Sequence, residues 1–227
     1  MNILVLGKGK TGGLVAEVAQ QRGHTVTAWG ESENPAGSAL SAQSLQPFDA
    51  VIDFTTPTAV LENIRACAAA GKNIVVGTTG WYGELTYVHH LAESSGIGFL
   101  YGSNFSIGVN IFFEIAHTAS FAVKLGYAAK ISERHHTEKK DAPSGTAVTL
   151  QKILGAGIDP PPEITSIREG DTVGTHVMFL DSAFDSMMLV HDAKSRMGFA
   201  EGAVRGAEWL QGKKGFFEFK DIFRELK

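Results

Sequence analysis

The sequence predicts an α/β fold in which a parallel sheet is followed by a second, mixed sheet. Over the first hundred residues, short apolar runs alternate with amphipathic helical segments, as in a parallel sheet with crossover helices. A glycine-rich turn joins the first apolar run to the first helix. Between residues 164 and 192, three strand-like runs are separated by polar turns, which indicates antiparallel or mixed pairing.

The composition excludes several classes of function. The chain has 227 residues, 44% hydrophobic and 19% charged, which allows one large domain or two small ones. The net charge is −4 and no basic run exceeds two lysines, so we expect no binding to nucleic acid or to a membrane surface. The single cysteine, Cys67, cannot form an internal disulfide. With no apparent signal peptide or membrane span, we expect a cytoplasmic protein.

The first turn has the spacing of a dinucleotide-binding motif. Residues 2–6 predict a buried strand, residues 14–22 a helix and residues 24–29 a second strand. Strand, G-x-G-x-x-G, helix and strand is the opening of a Rossmann fold, whose glycines let the backbone approach a pyrophosphate. A triphosphate-binding P-loop is rejected because Leu4 stands where that motif needs its first glycine. The candidate cofactor-binding residues here are Gly7, Lys8, Gly9, Lys10, Thr11 and Gly12.

Glu31 lies about 20 residues beyond the glycines, where an acidic side chain holds the ribose hydroxyls of the adenosine in such folds. A plain loop carboxylate fits the sequence equally well. A ribose contact favours NADH over NADPH, whereas Lys8 and Lys10 favour the opposite preference. The sequence leaves the choice of cofactor open.

Three further strands are predicted at residues 49–54, 73–76 and 98–101. One helix is predicted to start at Thr55-Thr56-Pro57 and run through Ala70, and another to span residues 82–95. The strand at 73–76 ends in Gly77-Thr78-Thr79-Gly80. Small residues at the carboxyl end of a strand stand where a doubly wound sheet binds its ligand. A turn without a ligand is an equally good explanation of this one segment.

Residues 133–147 contain many side chains that can transfer protons or bind anions, and almost no large apolar side chain. The segment carries two histidines, two lysines and a Ser-Gly-Thr turn before a helical run that ends at Leu154. Backbone N–H groups at a helix start attract anions. We therefore expect a working loop that binds a small anionic ligand. Two surface histidines and a solvated lysine pair remain the alternative on the residues alone.

The second sheet is expected to be largely open. Its strands alternate Val177 and Phe179 with Met178 and Leu180, which places apolar side chains on both faces. With one helix face to cover it, such a sheet would leave its other face open. We therefore expect an oligomer that forms through the other face.

At residues 133–147 the chain resembles a known family. The pattern Glu133-x-His135-His136-x-x-Lys139-x-Asp141-x-Pro143-Ser144-Gly145-Thr146-Ala147 is similar to the motif of the 4-hydroxy-tetrahydrodipicolinate reductases of lysine and diaminopimelate synthesis. Matching segments at residues 53–55, 76–80, 104–110, 170–176 and 195–203 extend the resemblance over nearly the whole chain. Thr11-Gly12 departs from the Arg-Met pair that is common in the family, and the loop between residues 29 and 47 is short.

The resemblance implies a two-domain enzyme. Residues 1–106 and 196–227 would form the Rossmann domain, and residues 107–195 an α+β domain for substrate binding and tetramerisation. The expected assembly is a homotetramer. The implied reaction is the reduction, by NADH or NADPH, of a small cyclic dicarboxylate with an imine to tetrahydrodipicolinate.

The resemblance also implies roles for single residues. His135 is the expected proton donor and Lys139 the second choice for the same catalytic role. The substrate carboxylates would be held by His136, Lys139, Ser144, Gly145 and Thr146. Gly77, Thr78 and Thr79 would face the nicotinamide, with Asn104 and Phe105 lining the hinge. No spacing in the sequence predicts a metal site.

Two alternatives remain at this point. Another two-domain Rossmann oxidoreductase, such as an aspartate dehydrogenase, shares the first half but gives no reason for the pattern at residues 133–147. A non-catalytic NAD(P)H sensor has no need of proton donors beside an anion site. Oxidation of the reduced cofactor with candidate substrates discriminates among the three.

Overall fold

The computed structural model describes residues 1–227, which form two compact units. The first unit contains Met1–Ile107 and Met197–Lys227, and the second contains Gly108–Arg196. The elements in chain order are β1 (Asn2–Leu6), α1 (Lys10–Gln21), β2 (Thr25–Trp29), α2 (Ala42–Leu45), β3 (Ala50–Asp53), α3 (Val60–Ala69), β4 (Asn73–Val76), α4 (Leu85–Ser95), β5 (Gly98–Tyr101), α5 (Ile107–Lys124), β6 (Ala128–His135), α6 (Gly145–Leu154), β7 (Glu163–Arg168), β8 (Gly174–Asp181), β9 (Ser186–Ala193), α7 (Met197–Leu210), β10 (Gly215–Glu218) and α8 (Phe219–Ile222).

The first unit is built on a parallel sheet of six strands in the order β10-β5-β4-β3-β1-β2. The middle strands are buried on both faces, which explains their continuous apolar sequences. The chain first adds β2 on one side of β1 and then β3 on the other. In open α/β sheets such a switch in direction creates the crevice that binds a ligand, at the carboxyl ends of the strands.

Two details of the first unit differ from the sequence prediction. The structure adds β10, which pairs in parallel with β5 where no strand was predicted. Helix α3 begins at Val60 and not in the segment Thr55-Thr56-Pro57. The reason is local, because the backbone N–H and hydroxyl of Thr55 both donate to the Asp53 carboxylate at 3.0 and 2.8 Å and so hold this segment in a turn.

The second unit carries a mixed sheet in the order β7-β6-β8-β9. Strand β6 pairs in parallel with β7 and antiparallel with β8, and β8 pairs antiparallel with β9. One face packs on α5 and α6 around a core of Phe112, Ala116, Ile131, Ala147, Leu150, Leu154 and Met178. The predicted fold class, a Rossmann-type unit with a second mixed sheet, is confirmed.

The other face of this sheet is open. Cross-strand register pairs Val177 with Val190 and Phe179 with Met188 on that face. Met188 is 66% exposed and Val190 is 54% exposed. None of the helices has both the length and the apolarity required to cross a membrane.

Candidate active site

The glycine turn of the first unit is shaped by close backbone contacts. Gly7 has φ +98°, a conformation that favours glycine. A Cβ on Gly12 would lie 2.0 Å from the Gly7 carbonyl oxygen, so only glycine allows α1 to start this close to β1. Gly9 and Gly13 have no atom within 4 Å of the position of a Cβ. The turn therefore leaves open space at the helix N-terminus, and this fits the pyrophosphate of a dinucleotide.

Two cavities flank this turn. One, of about 310 Å³, is lined by the first part of the turn, by Trp29 and Glu31 after β2 and by the β3–α3 loop. The other, of about 260 Å³, lies between the N-terminus of α1 and the loop after β4. Together the two cavities bring into one crevice the predicted residues Gly7, Lys8, Gly9, Lys10, Thr11, Gly12, Glu31, Gly77, Thr78 and Thr79.

Glu33 is an acidic residue beside this crevice, in contact with Lys8 and Gly30 of its lining, that the sequence prediction missed. Its carboxylate accepts from Lys8 Nζ at 2.6 Å, from the Gly30 backbone N–H at 2.7 Å and from the Ser32 hydroxyl at 2.8 Å. These contacts, led by the Lys8 hydrogen bond, lower the pKa of Glu33 to about 2. Lys8 therefore already has an anionic partner. Glu31 accepts from the Ala36 backbone N–H at 3.3 Å and lines the cavity.

Asp53 organises the carboxyl ends of two neighbouring strands. It is fully buried at the end of β3 and accepts from the Thr55 N–H and hydroxyl, the Thr78 hydroxyl at 2.6 Å and Asn63 Nδ2 at 2.7 Å. Burial raises the pKa of Asp53, and the hydrogen bonds oppose that rise. The Thr78 hydroxyl is thus turned toward Asp53, and the Thr78 backbone carbonyl accepts from Trp81 Nε1 at 2.8 Å. A charged residue in an apolar strand was the available sequence signal.

Asn104 and Phe105, which were predicted to line the hinge, differ in their surroundings, because the Phe105 ring lies in the apolar core. The Phe105 side chain is 2% exposed and packs against the rings of Phe54 and Phe219 in the apolar core. Its ring is thus unavailable to line a ligand site, which leaves only its backbone. Asn104 Oδ1 accepts from the Ser106 backbone N–H at 2.9 Å just before α5.

In the second unit, the segment 133–147 connects β6 to α6. Ser144 caps α6, and its hydroxyl oxygen accepts from the Ala147 N–H at 3.2 Å. The Ser144 N–H itself donates to Glu133 Oε1 at 3.0 Å. One of the three amides expected to hold a substrate carboxylate is therefore occupied by Glu133. Gly145 keeps an open approach, with no atom within 4 Å of a Cβ position.

Sheet register builds a polar cluster around Glu133. In the register, Ser166 of β7 and His176 of β8 lie opposite Glu133, and Arg168 lies opposite His135. Glu133 Oε1 accepts from the Ser166 hydroxyl at 2.8 Å and from Arg168 Nη2 at 3.0 Å, in addition to the Ser144 N–H. Burial opposes ionisation of Glu133, but the Ser144 hydroxyl, which also faces the carboxylate, and the three hydrogen bonds to Oε1 outweigh burial and lower the pKa of Glu133 to about 2. Glu133 is therefore a carboxylate at neutral pH.

The two imidazoles beside Glu133 are also buried. His135 and His176 are 7% and 4% exposed and meet edge to face with ring centroids 5.1 Å apart. Burial lowers the pKa of His135 below its ordinary value, and Glu133 partly opposes this. Burial, aided by His135, lowers the pKa of His176 to about 4. A Cβ on Gly174 would lie 3.0 Å from His135 Nε2, so glycine makes room for that edge of the ring.

Lys139 and His136 are held by residues that the sequence prediction left out. Lys139 Nζ lies 2.7 and 2.9 Å from the two carboxylate oxygens of Asp141. Arg196 Nη2 donates to His136 Nε2 at 3.2 Å. The segment therefore contains every residue predicted to bind substrate, while Arg168 and His176 enter the site through the pairing of β7 and β8 with β6.

Glu133, His135 and His176 also form a set of side chains with metal-ligand chemistry. Their ligand-type atoms lie within 4.8 Å of one another. The sequence spacing gave no indication of this set because His176 comes from another strand. Arg168 and Lys139 place positive charge next to it.

Both halves of the chain match models of one protein family. Residues 1–105 match dihydrodipicolinate reductase, N-terminus, and residues 108–223 match dihydrodipicolinate reductase, C-terminus. The 4-hydroxy-tetrahydrodipicolinate reductase of Christiangramia forsetii is 35% identical over 242 aligned positions, with 100% of this chain and 99% of the relative covered. The protein of the same name from Neisseria meningitidis serogroup B is 35% identical over 206 positions, covering 81% of this chain and 74% of the relative.

Solved structures with the same fold are more distant in sequence. A dipicolinate-bound dihydrodipicolinate reductase from Paenisporosarcina sp. TG-14 has a TM-score of 0.79 at 22% identity, covering 98% of this chain and 99% of that chain. An amine dehydrogenase from Mycobacterium smegmatis has a TM-score of 0.61 at 12% identity, covering 97% and 95%. At these identities the likeness describes the fold.

Proposed function

Because the chain belongs to the dihydrodipicolinate reductase family, we propose a division of labour within it in which the first unit binds the cofactor and the second unit binds and protonates the substrate. The chain is an NAD(P)H-dependent oxidoreductase that reduces 4-hydroxy-tetrahydrodipicolinate to tetrahydrodipicolinate in lysine and diaminopimelate biosynthesis. The observation that supports the residue assignment is that Glu133 links His135, 3.3 Å away, to the Ser144 N–H at the N-terminus of α6.

The substrate is a small cyclic dicarboxylate, so its site must hold two negative charges. One carboxylate is received at the N-terminus of α6 by Gly145, Thr146 and the Ser144 hydroxyl, where the helix dipole favours an anion. Lys139 supplies positive charge, and Lys139 and His136 supply hydrogen-bond donors for the ring and the other carboxylate. Asp141 holds Lys139 in place until the substrate arrives.

His135 supplies the proton through Nε2, the ring atom that lies over Gly174. Its lowered pKa keeps the imidazole mostly neutral in the free enzyme at neutral pH. Two substrate carboxylates nearby stabilise the imidazolium and raise that pKa in the complex. A positioned general acid of this kind accelerates a reaction by roughly 10²–10⁴-fold.

The first unit provides the cofactor site. When bound, NADH or NADPH supplies the hydride that reduces the substrate ring. The backbone of the turn from Gly7 to Gly12 receives the pyrophosphate, and Glu31 receives the adenosine ribose. Asp53 keeps the loops that carry Thr55 and Thr78 in a fixed conformation at the edge of the crevice.

The assembly is a homotetramer in which the open face of the second sheet is covered by other copies of the chain. Val177, Phe179, Met188 and Val190 form an apolar face that is unusual for a surface open to water. The enzyme works in the cytoplasm. The single thiol, Cys67, is buried and burial raises its pKa, so it stays a protonated, unreactive group there.

The test is oxidation of NADH and of NADPH followed by absorbance. The unstable substrate is made in situ by its synthase from pyruvate and aspartate semialdehyde. We expect turnover that requires every component. Folded protein that binds dinucleotide but oxidises neither cofactor would contradict the assignment and favour the amino-acid dehydrogenase or the sensor.

A further inference from the structure

We infer that Glu133 is a positioning residue that fixes one proton on Nδ1 of His135 and another on Nε2 of His176. By doing so it prepares both the proton donor and the anion-binding hydroxyl of Ser144. The inference deepens the proposed function, because it takes His135 as the donor and the N-terminus of α6 as the carboxylate site.

The two oxygens of Glu133 have different surroundings. Oε1 accepts from three donors, whereas Oε2 is buried and has no partner in good hydrogen-bond geometry. The ring nitrogens closest to Oε2 are His135 Nδ1 at 3.3 Å and His176 Nε2 at 3.8 Å. A buried carboxylate oxygen that faced two nitrogen lone pairs would be repelled by both. Protons on these two nitrogens turn the repulsion into attraction.

This arrangement suits proton delivery by His135. With Nδ1 protonated toward Glu133, the other nitrogen, Nε2, is the one that gains and loses the catalytic proton. Loss of that proton leaves the neutral Nδ1–H form, which is the form that Glu133 stabilises. The ring therefore needs no rotation between turnovers, and Gly174 keeps its Nε2 edge clear of a side chain.

The proton on His176 acts through Ser144. His176 Nε2 lies 3.2 Å from the Ser144 hydroxyl oxygen, which also accepts from the Ala147 N–H at 3.2 Å. When His176 donates, both lone pairs of that oxygen are engaged. The hydroxyl proton, which faces Glu133 in the unliganded protein, can then turn to a substrate carboxylate. With the opposite tautomer, Ser144 would donate to His176 and its proton would be lost to the ligand. His176 Nδ1 then remains without a proton, and burying a lone pair there costs less than burying an unpaired N–H.

A metal ion is the rival explanation for the cluster and would use the same atoms. Metal binding requires His135 Nδ1 and His176 Nε2 to be free of protons. The charges around the cluster disfavour a divalent cation, because Arg168 donates to Glu133 and so offsets its charge, and Lys139 adds a further positive charge. The other charged group near His135 is Asp141, which is paired with Lys139. The cluster therefore has no surplus negative charge.

Neutron crystallography of the full-length unliganded protein at neutral pD locates the protons directly. We expect deuterium on His135 Nδ1 and on His176 Nε2, with none on His176 Nδ1. Deuterium on His176 Nδ1, an unprotonated His135 Nδ1, or a metal ion bound between the three side chains would overturn the inference. This measurement does not depend on turnover, so its failure is separable from failure of the proposed function.

The pH profile of kcat/KM in Glu133→Gln is a second test. A purely structural role of Glu133 would not change the pH at which this profile declines. Loss of the carboxylate removes the attraction that supports a charged His135, so the descending limb of kcat/KM against pH should move about one unit or more to lower pH. The matched control is Glu169→Gln, because the Glu169 side chain is exposed and pairs only with Arg134. Its profile should superpose on that of the parent enzyme.

A uniform loss of rate in Glu133→Gln, with the limb unmoved, would overturn the inference. If Glu133→Gln does not fold, the neutron result on the parent protein decides. Absence of turnover in the parent protein, with the expected deuterium positions present, would refute the proposed reaction and leave the proton arrangement standing.

Discussion

Two side chains of the segment 133–147, His135 and Lys139, differ in what surrounds them. His135 is buried among Glu133, His176 and Arg168, whereas Lys139 is paired at the surface with Asp141. A buried imidazole is suited to protonate a ring atom in a site that excludes water. The half-buried ammonium of Lys139, whose partner Asp141 is exposed, is suited to attract an anion in place of that carboxylate.

The substitution His135→Gln separates these roles. We expect kcat to fall about 100-fold or more, because the proton donor is lost, while KM changes little. Steady-state kinetics in the coupled assay provide the measurement, with His90→Gln on the surface of the first unit as control. Full turnover of His135→Gln would transfer the acid role to Lys139 or to a water molecule.

Lys139→Ala is expected to lower kcat and to raise KM together, because the ammonium both attracts the dicarboxylate and orients it. The same assay provides both constants. A change in KM alone would restrict Lys139 to binding.

Glu31 offers a test on the cofactor side. Glu31→Ala removes a carboxylate from the cavity beside β2, so the ratio of kcat/KM for NADPH to that for NADH should rise. Lys8 contributes less to this ratio because Glu33 neutralises it. An unchanged ratio would show that Glu31 does not contact the ribose.

At this scale, the sequence predicted what is local and missed what depends on strand pairing. His135, Lys139 and Ser144 stand in one contiguous segment whose chemistry is visible without a structure. Glu133 was visible too, but its role depends on partners from β7 and β8, and their register cannot be derived from spacing. Asp53 was missed for the same reason, since Thr78 approaches it from another strand.

At the scale of elements, the start of α1 tests the cofactor site. A Cβ on Gly12 would meet the backbone of Gly7 at 2.0 Å, and neither side can give way. Gly12→Ala should therefore weaken dinucleotide binding at least tenfold or destabilise the first unit by about 1–3 kcal/mol, the usual cost of overpacking. Fluorescence titration with NADH and thermal unfolding measure the two effects.

Gly13→Ala is the matched control, because it adds the same methyl group to the same helix with no atom within 4 Å. We expect near-parental binding and unchanged or slightly higher stability. Equal damage from both substitutions would show that the close contact at Gly12 is not the cause of the loss.

The prediction of elements failed where short segments are decided by tertiary contacts. Residues 215–218 form β10 because they pair with the edge of β5. A segment of four residues is too short to show the alternation from which a strand is predicted. The start of α3 moved to Val60 because Asp53 holds the preceding turn. The helical run after residues 133–147 was predicted to end at Leu154, where α6 ends, because its apolar residues repeat with helical spacing.

At the scale of the whole molecule, the stability of the second unit should depend on pH. The pKa of His176 is about 4 in the folded state against an ordinary value of 6.5. Between pH 4 and pH 6.5 the unfolded state therefore binds more protons than the folded state. The pKa of Glu133 is about 2 in the folded state against 4.5, so the unfolded state also binds more protons than the folded state below pH 4.5. The free energy of unfolding should therefore fall as pH decreases from 6.5 to 4, by up to roughly 3 kcal/mol from His176, and fall further below 4.5.

Amide hydrogen exchange in β6, measured between pH 7 and 4 after correction for the intrinsic rate, localises this effect to the second unit. In His176→Gln, the stability of β6 should depend less on pH between 6.5 and 4. The loss of stability below pH 4.5, which Glu133 causes, should remain. An unaltered slope in His176→Gln would show that other groups cause the loss.

The open sheet face predicts how the assembly responds to charge. Met188→Glu combined with Val190→Glu places two carboxylates on that face, and we expect light scattering to show a smaller species than the parental oligomer. The same change at the exposed Tyr87 of the first unit should have no such effect. A parental protein that is already monomeric at micromolar concentration would exclude the proposed tetramer.

The interleaving of the two units in the chain also constrains the order of folding during synthesis. Strand β5 has an unpaired edge, and the inner face of α1 stays uncovered, until residues 197–227 supply α7 and β10. The second unit lies wholly before these residues, so a nascent chain can complete it on the ribosome while the first unit waits for its last strand. A chaperone that shields apolar surface has its clearest target in that interval.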